Sequence, residues 1–184
     1  MTIFNIKYQE LSLSNLKEIG GETVCHEEFV GKRFFIKHGY VSIPMVIWKH
    51  QIPNEPSSRL GLYDGNIIQC ATYGSKKNDI FHRGGILGTI KHEFCHALQY
   101  LATTCELPNW YWSYENDQQD ELYRKWYDSF GNTYAQKSAV EAAAEAFRVL
   151  SGHPHPDEWE TNSHLLDDYR KFFENELVFK DFIK

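Results

Sequence analysis

The chain has no apolar run of the roughly 18 residues that a bilayer-spanning helix needs. It also has no block of five basic residues, no Cys-x-x-Cys pair and no low-complexity stretch. The first absence argues against a helical membrane anchor. The second, together with a formal net charge of −6, argues against nucleic acid or anionic lipid as the main partner, since both are held through clustered cations. The four cysteines, Cys25, Cys70, Cys95 and Cys105, are too few and too scattered for a disulfide scaffold and read as free thiols. The opening MTIFNIKYQE carries no apolar h-region, so no signal peptide is expected and a cytoplasmic location is the default. Internal repeats and linkers are also missing. With 42% apolar and 24% charged residues, the chain reads as one globular domain over residues 1–184.

The first half has β character. Lys32 to Lys49 is rich in β-branched and aromatic residues, with turn chemistry at His38-Gly39 and a break expected at Pro44. Leu60 to Tyr73 reads as strand, Asp64-Gly65 turn, strand. The second half is helical. A periodic segment runs from about Ile86 to Thr103. Asn116 or Asp117 can cap a second helix bearing Leu122, Trp126 and Phe130, and Ser138 a third that ends near Leu150. A fourth, from about Ser163 to Val178, places Leu165, Leu166, Tyr169, Phe172 and Phe173 on one side. Strands first and helices later predict an α+β fold with a small mixed or antiparallel sheet.

His92-Glu93-Phe94-Cys95-His96 is the segment that names a chemistry. Histidines four apart on a helix stack one turn above each other, so both imidazoles can reach one ion. The glutamate after the first histidine can handle a proton on a water activated by that ion. At about 100° per residue, with His92 at zero, His96 falls near 40° and Glu93 near 100°. Leu87, Ile90, Phe94, Ala97, Leu98 and Leu101 fall between roughly 140° and 240°. The helix therefore separates an apolar face from a face carrying all three chemical groups.

An open zinc site takes a third protein ligand. Glu121, Glu141, Glu145, His153, His155 and His164 are the candidates downstream. Glu141 and Glu145 share one face of the third helix, opposite Val140, Ala143, Ala144, Phe147 and Leu150, and Ala142 to Ala144 would let that helix approach the first closely. Ser138-Ala139-Val140-Glu141 also reads as a capping box, which would occupy Glu141 and leave Glu145 as ligand. Spacing leaves that choice open. His153 and His155, flanked by prolines, read first as surface residues. Cys95 falls near −60° on the wheel, off the ligand face, so a buried thiol is expected there rather than a fourth ligand.

HEFCHAL followed much later by VEAAAEAF resembles the zinc-binding part of the anthrax lethal factor protease domain and the related Pro-Pro endopeptidases. The resemblance spans about Gly85 to Leu150. It implies a zincin-like metallopeptidase fold, with Zn2+ held by His92, His96 and Glu141. It also implies Glu93 as the proton carrier and Tyr134, seven residues before Glu141, as a hydroxyl donor to the tetrahedral intermediate. Cys95 stands where many members have glycine, and the exported members' secretion signal has no counterpart.

These readings give the expected function: zinc-dependent hydrolysis of peptide bonds in a narrow set of peptide or protein substrates. Two other classes are a silent zincin-fold binding module and an effector that targets one partner. The strand Asn66 to Tyr73 is either the sheet edge that receives substrate or a paired interior strand. The aromatic run Trp110-Tyr111-Trp112-Ser113-Tyr114 either walls a pocket or pins a loop.

Overall fold

The computed structural model describes residues 9–12, 33–38, 41–48, 51–71, 85–103, 117–130, 134–151 and 163–175. The aromatic run at 110–114, His153, His155, Cys25 and Cys105 lie outside the described residues. Among the described residues, five strands form one sheet: β1 (Gln9–Ser12), β2 (Arg33–His38), β3 (Val41–Trp48), β4 (Gly61–Tyr63) and β5 (Ile68–Ala71), in the order β1-β2-β3-β5-β4. β1 and β2 pair parallel, as do β3 and β5; β2–β3 and β4–β5 are antiparallel. The described residues after the sheet include the helices α1 (Gly85–Thr103), α2 (Asp117–Trp126), α3 (Ala139–Leu150) and α4 (Ser163–Asn175). The fold is α+β with a mixed sheet.

One strand expectation changes and one open choice is decided. Pro44 lies inside β3, opposite Phe35, and does not break it. The ladder from β3 to β5 begins only at Met45. Pro44 therefore sits where one flank is unpaired, a position that tolerates a residue without an N–H. The open choice concerns the sheet edge. Asp64 Oδ1 accepts hydrogen bonds from the N–H groups of Asn66 and Ile67, both at 3.0 Å, and Gly65 takes φ +91°. This turn folds β5 back along β4. Because β5 also pairs with β3, the strand within Asn66 to Tyr73 is interior, and in the described sheet β4 is the edge strand beside it, with β1 at the other edge.

α1 lies on β4 and β5 and packs against α3 on another side, with α2 and α4 in turn against α3. Ile90, Phe94, Ala97 and Leu98 are fully buried, and each large side chain of this kind stabilises by about 1.5–3 kcal/mol. Leu101, on the same stripe, is exposed at the last turn. Ala142, Ala143 and Ala144 are fully buried where α3 meets its neighbours. Without bulk beyond Cβ they allow the close helix contact that brings polar faces together. Lys91 is buried and its Nζ donates to the carbonyl of Ser151 at the end of α3, a favourable place for a cation at a helix C-terminus. α2 ends at Trp126 and tightens into a 3-10 turn, Tyr127–Ser129, which still buries Phe130. In α4 the stripe Leu165, Tyr169, Phe172 and Phe173 is buried as its periodicity requires. Among the described residues, no helix is long and apolar enough to cross a membrane.

Candidate metal centre

The polar face of α1 is as deeply buried as its apolar face. His92, Glu93 and His96 are each no more than 7% exposed, because α3 packs over the histidines and β4 over Glu93. Ser138 accepts the Glu141 N–H at 3.2 Å and so caps α3. The Glu141 carboxylate does not complete the capping box but faces the histidines. Its Oε2 lies 3.0 Å from His92 Nε2 and 3.4 Å from His96 Nε2, and the two Nε2 atoms are 3.0 Å apart. Glu145 takes the opposite side of His92: its Oε1 meets Nδ1 at 2.8 Å and its Oε2 accepts from Arg148 Nη2 at 2.6 Å. The two glutamates that spacing left equivalent thus have different places.

Partners fix the ring orientations. The Glu145 carboxylate can only accept at Nδ1 of His92. At His96, Nδ1 meets Gln99 Oε1 at 2.8 Å, and the Gln99 amide is oriented because its Nε2 donates to the Val140 carbonyl at 3.1 Å. Both histidines therefore carry a proton on Nδ1, and both Nε2 atoms turn toward the Glu141 oxygen. That oxygen, though close to His92, has no partner in hydrogen-bond geometry. Three donor atoms within 4.8 Å of one another, one of them buried and unsatisfied, could hold a cation. Bonds of about 2.0–2.1 Å around a tetrahedral zinc would hold such atoms about 3.3–3.4 Å apart, close to the separations seen. An ion has no directional requirement, so it serves all three at once. A single proton bridges only one pair.

Charge follows the same pattern. Burial opposes a charged His92, but its contacts with Glu141 and Glu145 outweigh this and raise its pKa to about 10. Burial alone would also raise both glutamates, yet the histidine contacts hold Glu141 well below the usual carboxylate range. His92 and Arg148 do the same for Glu145. Glu93 is shifted upward, chiefly by burial, against the pull of His92 and His96. A carboxyl so placed can both take and return a proton.

Glu93 is also shaped by β4. The Tyr63 backbone N–H hydrogen-bonds its carboxylate. At Gly61 a Cβ would stand 2.5 Å from Glu93 Oε1 and 2.5 Å from Thr89 Cγ2, so only glycine lets the strand pass this close. Tyr134 is half-buried beside the 3-10 turn Ala135–Lys137, its ring 5.6 Å from that of His92, edge to face. Lys137 Nζ sits 3.7 Å over the Tyr134 ring. A cleft of about 230 Å³ opens here, lined by Gly61, Thr89, His92, Glu93, Tyr134 and Lys137 among others.

His92, Glu93, His96, Tyr134 and Glu141 therefore border one site with Glu145 behind it, whereas Glu121 and His164 are exposed on other helices. Sequence reasoning missed Gln99, Arg148 and Gly61. Gln99 follows His92 by seven residues and Arg148 follows Glu141 by seven. Each extends its helix's polar stripe to i, i+4, i+7, so the wheel carried that signal. Gly61 left no signal, because its neighbours come from another element. Cys95 is buried beside the site as a free thiol, its pKa pushed up by burial. Comparison of the chain with protein-family models, with curated proteins and with solved structures finds no match.

Proposed function

We propose that the chain is a zinc-dependent endopeptidase of zincin-like fold, with His92, His96 and Glu141 as metal ligands and Glu93 and Tyr134 as catalytic residues. The observation that carries this is the convergence of two Nε2 atoms, each on a ring held at Nδ1 by a hydrogen-bonded partner, with the unsatisfied Glu141 oxygen. The resemblance of HEFCHAL and VEAAAEAF to the lethal factor and Pro-Pro endopeptidase group supports the same set. Zinc, when bound, would lower the pKa of a water toward about 7 and polarise a carbonyl.

The chain's own residues do the rest. Glu93 takes a proton from the attacking water and returns it to the leaving amine. Tyr134, held against His92 and under Lys137, donates its hydroxyl to the carbonyl oxygen as charge builds there. Such a donor is typically worth about 10²–10³ in rate. Glu145 fixes the His92 ring from behind and is itself held by Arg148. β4, with its outer side unpaired in the described sheet, runs past Glu93 and offers backbone groups to an extended peptide. A silent binding module has no use for Glu93, whose burial is unfavourable unless its carboxylate has a task.

The test is Glu93→Gln. It is expected to keep zinc near one equivalent while a peptide-library digest loses cleavage. Persisting cleavage removes Glu93 from its role, and a wild-type protein without tightly bound divalent metal removes the proposal.

A further inference from the structure

We infer that Gln99 is a positioning residue that sets two of the three ligand-bearing groups at once, supported from α2 by Gln119. The inference rests on the proposed function only in taking His96 and Glu141 as ligands. Gln99 is buried, 2% exposed, one turn beyond His96 on α1. Its Oε1 meets His96 Nδ1 at 2.8 Å, while its Nε2 donates to the Val140 carbonyl at 3.1 Å and to Gln119 Oε1 at 3.0 Å. Val140 immediately precedes Glu141, so the amide that orients the His96 ring also grips the backbone from which the third ligand projects. Gln119 is fully buried on α2.

The geometry is specific to an amide. A carboxylate would oppose its oxygen to the Val140 carbonyl, and an apolar side chain would satisfy neither neighbour. His92 is oriented differently, by the charged Glu145–Arg148 pair, and the neutral amide at His96 adds no further charge. α2 contributes no ligand, yet through Gln119 it braces the Gln99 amide. The chain thus links the candidate centre to a helix with no motif of its own.

The experiment compares wild type with Gln99→Met, similar in length and unable to hydrogen-bond in this way. Long-range 1H–15N spectra of histidine-labelled, metal-free protein distinguish the tautomers. Zinc affinity is measured by competition with a chromophoric chelator. Wild-type His96 is expected to show a protonated Nδ1 and a bare Nε2. In Gln99→Met the spectrum should show mixed tautomers, with zinc bound about 10–100-fold more weakly. A His96 signature unchanged by the substitution overturns the inference, as does unchanged affinity in a protein that binds zinc. If wild type binds no zinc but Gln99→Met still releases the His96 tautomer, the metal reading fails and the positioning role stands. Should Gln99→Met not fold, Gln119→Leu carries the test. It removes one of the two bonds to Gln99 Nε2, and a partial release of the His96 tautomer is expected. A wild-type His96 signature in that variant overturns the inference.

Discussion

Gly61→Ala tests the contact between the edge strand β4 and the proposed proton carrier. The added methyl would stand 2.5 Å from Glu93 Oε1, 2.5 Å from Thr89 Cγ2 and 2.8 Å from Glu93 Cγ. An ordinary carbon contact begins near 3.5 Å, so something must move by about 1 Å. The atoms in the way belong to side chains, and Glu93 Oε1 is the far end of one of them. The cost to folding should therefore sit at the low end of the range for overpacking, about 1 kcal/mol. A displacement of about 1 Å at a reacting group costs on the order of 100-fold in rate. The expected result is an uneven one: a small loss of thermal stability, zinc content near wild type, and kcat/KM on a cleavable peptide down by about two orders of magnitude. Urea unfolding, metal analysis and peptide kinetics on one preparation read all three. Wild-type kcat/KM in a folded Gly61→Ala protein would refute the argument that β4 holds Glu93 in place.

Tyr134→Phe removes a hydroxyl and keeps the ring that packs on His92, so turnover should drop about 10²–10³-fold with zinc content unchanged; equal turnover returns Tyr134 to packing alone. Ser138→Ala deletes the cap of α3, and urea unfolding should show a loss of about 1 kcal/mol; a value near zero would mean the cap does not hold the helix start. In chelator-treated protein the raised His92 pKa gives stability that is full below its ordinary 6.5 and fades as pH climbs through about 10. The depressed Glu141 and Glu145 give stability that is full above the ordinary 4.5 and fades as pH falls toward their lowered values. The midpoint temperature of metal-free protein should thus be highest between about pH 4.5 and 6.5 and decline toward pH 10; a profile still rising at pH 9 contradicts the assigned contacts.

Local periodicity made most of the helical half legible. α1, α3 and α4 each carry an apolar stripe whose spacing depends only on the residues of that helix, and the fold buries most of those side chains. The hairpin at Asp64-Gly65 was legible for the same reason. What sequence could not supply was the pairing of distant segments. β5 lies between β3 and β4 through a parallel ladder, and nothing within Asn66 to Tyr73 says whether a second neighbour exists. Pro44 misled in the same way, since its effect depends on where the ladder to β5 starts. At the candidate centre, the wheel grouped His92, His96 and Glu93 on one face and Glu141 with Glu145 on another. Only contact between the helices could decide which glutamate meets Nε2 and which meets Nδ1.

β4, an edge of the described sheet, is only three residues long. A row of so few open N–H and C=O groups is a poor template for a second copy of the same chain, which limits edge-to-edge association. If the chain is the peptidase proposed above, the same brevity would govern what can be cut. A segment docking there must already be extended over a comparable stretch, so compact domains would pass untouched while tails, linkers and slack loops would be vulnerable. Selectivity would then begin with the disorder of the target, before any side chain is read.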